Sequence, residues 1–71
     1  MSASIIVNEV DLSKDTCIFE EYVLLKIDGD LIRCEVLGKM NSEIHFEVTR
    51  NNKLDIIRYL INYGICFQYI S

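Results

Sequence analysis

The sequence contains no proline, and its three glycines stand apart at positions 29, 38 and 64. It also has no internal repeat and no low-complexity tract, so nothing in it marks a linker. Isolated glycines do not provide the Gly-rich loop that cradles phosphate groups. We therefore expect residues 1–71 to form a single compact domain, with each glycine in a turn or a helix cap.

The sequence also lacks any paired arrangement of cysteines. Cys17, Cys34 and Cys66 are odd in number and show no C-x-x-C spacing, which argues against a disulfide framework and against a zinc site. Because all three lie within apolar runs, we expect them to be reduced, buried thiols. No metal and no other cofactor is expected.

Long hydrophobic segments are also missing. No apolar run approaches the ~18 residues of a membrane span, and residues 1–9 lack the basic segment and apolar core of a signal peptide. The sequence therefore predicts a cytoplasmic protein without a membrane partner.

Basic residues are few, and the charge is unevenly distributed. Residues 1–49 contain four basic and ten acidic side chains, whereas residues 50–71 contain three basic and one acidic. An acidic surface disfavours direct binding to DNA, RNA or anionic lipid, because affinity for phosphate comes mostly from Lys and Arg. Apolar residues nevertheless make up 51% of the chain, which is high for a lone domain of this size.

The strongest local signal is Asp28-Gly29 between two aliphatic runs, which predicts a β-hairpin over residues 22–37. A type I′ turn is favoured, because glycine adopts a positive φ at no steric cost and aspartate tolerates it. With this even loop, one sheet face receives only apolar side chains, namely Val23, Leu25, Ile27, Ile32, Cys34 and Val36.

The remaining elements follow from periodicity. Strands are predicted over residues 4–12, 17–27, 43–49 and 65–71, with a loose turn at 38–42; residues 13–20 also fit a short helix. Helical spacing covers residues 53–63, with Asn52 as the N-cap and Gly64 ending the helix. The predicted fold class is α+β: a single sheet of about five mostly antiparallel strands with one helix packed on it, in the order ββββαβ.

The predicted helix has more apolar surface than one sheet can cover. Its apolar arc spans roughly 220°, against the ~100° that packing on a sheet requires. We expect four residues to seat the helix on the sheet, namely Leu54, Ile57, Leu60 and Ile61. The remaining apolar side chains, Ile56, Tyr59 and Tyr63, are predicted to form a partner interface.

The second face of the hairpin also carries apolar residues, including Tyr22, Leu24 and Leu31. A single helix cannot cover both faces of a sheet. Either a second copy of the chain packs on this face or the N-terminal segment crosses it. Self-association is the simpler solution, so we expect a homodimer.

His45 lies between Glu43 and Glu47 on the outward face of its strand. Alternate strand residues are about 6.6–6.8 Å apart, too far for three side chains to bind one metal ion without bending the strand. Cys34 is predicted to point to the opposite face, so it cannot pair with His45 as a catalytic dyad. We therefore expect no enzymatic activity.

The best reading of the sequence is a non-enzymatic, acidic interaction module of the inhibitor or adaptor type that docks onto another protein. Two other functions stay open. Arg50, Asn52 and Lys53 at the helix start could bind a small anionic ligand or a nucleotide. Alternatively, the ten acidic residues before Arg50 could mimic a nucleic acid and block a nucleic-acid-binding protein.

Overall fold

The structure, a computed structural model, describes residues 3–12 and 16–71. Within these ranges it confirms the predicted α+β class: one antiparallel sheet with one helix in the C-terminal half. The strands are β1 (Ala3–Asn8), β2 (Thr16–Ile18), β3 (Tyr22–Ile27), β4 (Asp30–Met40), β5 (Glu43–Val48) and β6 (Phe67–Ile70). The helix α1 covers Lys53–Asn62, and Glu9–Leu12 forms a short 3₁₀ helix.

The sheet has the strand order β2-β3-β4-β5-β1-β6, and every neighbouring pair is antiparallel. Strands β2 to β5 follow one another as a meander. Strand β1 then lies between β5 and β6, so the beginning and the end of the described chain meet at one side of the sheet.

The hairpin of β3 and β4 forms as the sequence predicts. Asp28 and Gly29 both have positive φ, at 52° and 86°, which is the type I′ arrangement. Val23 pairs with Cys34, and Leu25 pairs with Ile32. The two pairs share one sheet face, where Val23, Leu25 and Cys34 are buried.

The turn predicted at residues 38–42 is confined to residues 41–42, because β4 continues to Met40. The connection to β5 is only Asn41-Ser42, and Asn41 adopts a φ of 59°, which asparagine tolerates better than most residues. A register shift between Val36 and Gly38 marks a β-bulge. The extra residue lets the long strand stay paired on both sides of its bend.

Two strand predictions near the N-terminus also need correction. The first strand ends at Asn8, whose side-chain Oδ1 accepts a hydrogen bond from Val10 N at 3.0 Å as the chain turns. The predicted strand 17–27 is split into β2 and β3 by residues 19–21. The alternative of a short helix over residues 13–20 fails at Thr16–Ile18, which is a strand, and residues 13–15 lie outside the described part.

Helix α1 ends as predicted at Gly64, which has a φ of 67°. Gly64 N donates to Ile61 O at 3.1 Å, and Ile65 N donates to Leu60 O at 2.9 Å. This is a Schellman motif, in which Ile65 packs back on the last helical turn. At the other end, the side chain of Asn52 does not cap the helix.

The hydrophobic core lies between α1 and one face of the sheet, and its buried residues come from every element except β2 and β6. On the helix, however, the buried residues are Ile56, Tyr59 and Leu60, whereas Leu54 and Ile61 are both 62% exposed. Of the four residues predicted to seat the helix, Leu60 is buried and Ile57 is partly buried against the core, so the packing face is rotated by about 100° around the helix axis from the predicted one.

No helix within residues 3–12 and 16–71 combines the length and the apolar character needed to cross a bilayer.

Candidate functional site: the open face of the sheet

The sheet face opposite α1 is the candidate functional site, because no described element packs on it. We call it the open face. Alternation along the strands places these side chains on it: Ser4, Ile6, Asn8, Cys17, Tyr22, Leu24, Lys26, Leu31, Arg33, Glu35, Met40, Glu43, His45, Glu47, Gln68 and Ile70.

Its most exposed apolar side chains are on β4. Met40 is 74% exposed and Leu31 is 65% exposed, and Leu37 at the bulge is also exposed. Leu31 and Met40 lie at the two ends of β4, which is an inner strand of the sheet, and the exposed ion pair of Arg33 and Glu35 lies between them. Large apolar side chains exposed together on one sheet face are typical of a protein contact.

An aromatic cluster extends the open face toward β2. Phe19 and Tyr22 stack with ring centroids 4.7 Å apart, and the Arg33 guanidinium lies 3.9 Å from the centroid of the Tyr22 ring. Arg33 Nε also donates to Glu35 Oε1 at 3.0 Å. This exposed ion pair is worth less than about 1 kcal/mol. The stacked rings and the guanidinium nevertheless hold each other in defined positions, which suits them to anchor a partner.

On the opposite side of the face, Ser4 and His45 form a hydrogen bond. His45 Nε2 and Ser4 Oγ are 2.7 Å apart, and Ser4 is only 7% exposed. The contact exists because β1 pairs with β5 so that Ser4 and His45 lie diagonally across the two strands. A groove of about 250 Å³ adjoins it, lined by Ile6, Gly38, Lys39, Met40, Glu43 and His45.

A serine next to a histidine invites a comparison with hydrolytic enzymes. Nucleophilic catalysis also needs a group that orients the base and donors for the developing oxyanion. Within residues 3–12 and 16–71, neither Glu43 nor Glu47 forms a salt bridge with His45. Ser4 lies in a strand paired on both sides, so its own backbone is committed to the sheet. The hydrogen bond with His45 gives the buried Ser4 hydroxyl a partner.

The interface residues predicted on the helix do not form one surface. Ile56 is fully buried and Tyr59 is 7% exposed, so both belong to the core and neither can anchor a partner. The Tyr59 and Tyr63 rings lie 4.9 Å apart, and Tyr63 alone of these three side chains is exposed. The hairpin residues of the same prediction, Tyr22, Leu24 and Leu31, do lie together on the open face.

The predicted anion site at the helix start is already occupied by contacts within the chain. Asn52 Oδ1 accepts a hydrogen bond from Thr49 N at 2.8 Å, so its side chain is turned away from the helix amides. Lys53 Nζ lies 5.8 Å from the centroid of the Tyr69 ring. Arg50 is exposed and lines a shallow groove of about 450 Å³ with Lys53 and Tyr69. Arg50 and Lys53 therefore line the same groove, but the Asn52 side-chain oxygen is bound to the Thr49 amide.

The thiols were predicted to be buried, and this is correct for Cys34 alone. Burial, followed by the nearby Glu35 carboxylate, raises the pKa of Cys34 to about 11. Cys17 and Cys66 are exposed. Cys17 pairs with Leu24 on the open face rather than with a core residue. Among the described residues, no cluster of three His, Cys, Asp or Glu side chains could hold a metal ion.

Sequence reasoning missed three contributors to the open face. Met40 fell in a predicted turn, Phe19 in an ambiguous segment, and Ser4 on a strand whose partner was unknown. Asn41-Ser42 as a two-residue turn would have placed Met40 on a strand, but the residues that pair Ser4 with His45 are 41 positions apart. No local signal predicts that contact.

Comparison of the chain with known proteins finds no matching family model, no matching curated protein and no matching solved structure.

Proposed function

We propose that the protein is a non-enzymatic interaction module, of the regulator, inhibitor or adaptor type, whose docking surface is the open face of the sheet. The observation that supports this most directly is the exposure of Leu31 and Met40 on an inner strand of a sheet that carries its helix on the other side. Exposed apolar side chains are costly in water unless a partner covers them.

The chemistry of the face fits a protein partner. Interface cores are enriched in aromatic residues, Met and Arg, and the open face presents Phe19, Tyr22, Arg33 and Met40. The apolar residues of β4 would supply most of the binding energy. The charged residues around them would set the orientation and speed of the encounter.

Two other functions have weaker support. A small anionic ligand would have to displace the contact between Asn52 and Thr49 at the helix start. A nucleic-acid mimic needs a surface of one sign, whereas the open face mixes Arg33 with Glu35, Glu43 and Glu47. Neither possibility explains why Leu31 and Met40 are exposed.

We infer a cytoplasmic location from the state of the cysteines. All three are free thiols, and reducing compartments keep thiols unpaired.

Affinity capture with matched variants tests the proposal. Leu31→Lys on the open face and Ile61→Lys on the helix change side chains of nearly equal exposure, at 65% and 62%. Both variants introduce the same charge. A difference in capture between them is therefore due to the face that carries the lysine and not to the lysine itself. Circular dichroism confirms that each variant is folded.

We expect the polypeptides captured by the wild-type protein to be captured by Ile61→Lys and lost with Leu31→Lys. Capture that is equal for all three proteins, or lost only with Ile61→Lys, contradicts the open face as the docking surface.

A further inference from the structure

The outer edge of β6 is a surface separate from the open face, and it consists of backbone groups. Strand β6 is the last in the strand order, and it pairs with β1 in an antiparallel register without a bulge. Within residues 3–12 and 16–71, no strand pairs with β6 on its other side. An edge of this kind presents a row of N–H and C=O groups that an extended chain can bond.

The pairing of β1 shows which of its backbone groups bond β6. Glu9 N donates to Ser42 O at 2.8 Å, one step beyond the pair formed by Asn8 and Glu43. In an antiparallel ladder, hydrogen-bonded pairs alternate with pairs that exchange no hydrogen bond. The odd-numbered residues of β1 therefore bond β5, and the even-numbered ones bond β6.

The same alternation identifies the outward-facing groups of β6. The even-numbered residues of β1 pair with Gln68 and Ile70. The N–H and C=O groups of Phe67 and Tyr69 therefore point away from the sheet, and the two residues are about 6.6–6.8 Å apart along the strand. Proline, charged side chains and bulges are the usual means of blocking an edge, and β6 contains none of them.

Charges of opposite sign lie near the two ends of β6. At its end, Lys53 Nζ is 5.8 Å from the centroid of the Tyr69 ring, and Arg50 lines the same groove. At its beginning, Asp11 and Glu43 line a groove of about 360 Å³. A strand beside β6 is complementary to both ends when it carries an acidic side chain near Tyr69 and a basic one at the opposite end.

We propose that the outer edge of β6 binds an extended segment of another polypeptide, which joins the sheet as an added strand with an acidic side chain beside Tyr69 and a basic one beside Phe67. In contacts of this type, main-chain hydrogen bonds supply affinity and side chains supply specificity. The edge is a second contact, so this inference does not rest on the proposed function.

Peptide titration followed by NMR tests the inference. The probe is a synthetic peptide of about eight residues, the length of an ordinary strand, in which Thr and Val alternate between a lysine at one end and a glutamate at the other. We expect the backbone amide signals of Phe67 and Tyr69 to shift and these amides to exchange with solvent more slowly in the complex. The Gln68 amide, which bonds β1, should exchange slowly with and without the peptide.

Tyr69→Pro removes an outward N–H but no bond to β1, and proline is tolerated on an edge strand where its nitrogen faces solvent. Tyr69→Thr is the matched control, because it also lacks the ring but keeps the N–H. We expect Tyr69→Pro to abolish peptide binding and Tyr69→Thr to retain it, with circular dichroism as the folding control. If Tyr69→Pro fails to fold, the amide exchange of the wild-type protein still decides the question.

Two control peptides test the charges. One has lysine at both ends and the other has glutamate at both ends, so each places one like charge against the protein whichever way it runs. Each should bind about two- to fivefold more weakly than the probe. Equal binding of all three peptides overturns the charge assignment.

Three results overturn the edge as a binding site: no shift of Phe67 and Tyr69 at the highest peptide concentration, binding by Tyr69→Pro equal to that of wild type, and shifts confined to the open face. Slow exchange of the Tyr69 amide that depends on protein concentration without peptide makes a second copy the occupant, and overturns another polypeptide as the partner. Leu31→Lys should leave peptide binding unchanged, which separates failure of the edge contact from failure of the open face.

Discussion

Ile56→Ala is the substitution that best tests how the helix sits on the sheet. Ile56 is fully buried against the core, whereas Leu54, two residues earlier on the same helix, is 62% exposed. Truncating a buried isoleucine removes its burial energy and leaves a cavity, which together cost about 2–5 kcal/mol. A chain of 71 residues has only about 4–10 kcal/mol of stability in total. Ile56→Ala should therefore remove a large part of it.

Leu54→Ala is the matched control. It shortens an aliphatic side chain on the same helix, and alanine is a good helix former, so its effect should stay within about 0.5 kcal/mol. Urea denaturation followed by circular dichroism, at one fixed protein concentration, measures both variants. If Leu54→Ala costs as much as Ile56→Ala, the helix packs through the face that its sequence pattern suggested, and the assignment of Ile56 to the core is wrong.

Two further predictions concern thiols and turns. At pH 8 an alkylating reagent should label the exposed Cys17 and Cys66 quickly and the buried Cys34 slowly. A pKa of about 11 leaves about 100-fold less Cys34 thiolate at this pH than the usual value of 9.0, and burial slows the reagent further. The labelling rate of Cys34 should keep rising with pH up to about 11, and rapid labelling of Cys34 at pH 8 would refute its burial. Gly29→Val should destabilise the protein by about 1–3 kcal/mol, because a β-branched residue is strained at a φ of 86°. Gly38→Ala, where an added Cβ meets no atom within 4 Å, is the control in the same denaturation assay, and equal stability of both variants would contradict the type I′ turn.

The parts of the fold that were predictable from sequence are those that local chemistry decides. Asp28-Gly29 predicted the hairpin and its register, and Gly64 predicted the end of the helix, because positive φ values restrict which residues can stand there. The alternation in residues 43–49 predicted β5, because a strand with one buried face repeats every two residues.

The orientation of the helix was not predictable for a physical reason. Its apolar residues cover so wide an arc that several packing faces are compatible with the pattern. The sheet decides among them, since α1 packs near β3 and buries Ile56, Tyr59 and Leu60 there. Tyr59, which the sequence assigned to a partner interface, is buried next to the Tyr63 ring.

The candidate site also has one part that was predictable from sequence and one part that was not. Tyr22, Leu24 and Leu31 were assigned to the correct face because the hairpin register is local. The contact between Ser4 and His45 depends on β1 inserting between β5 and β6, which joins the two ends of the described chain. Composition and periodicity contain no information on such long-range pairing.

The central claim is that the open face, and not the helix, is the surface on which this protein meets its partner. Methyl-resolved NMR spectra of the protein, recorded with and without the polypeptides that it captures, test it most directly. Methyl signals of Leu24, Leu31 and Met40 should shift or broaden when the partner binds, while those of the exposed helix residues Leu54 and Ile61 stay in place. Shifts confined to Leu54 and Ile61 would contradict the claim.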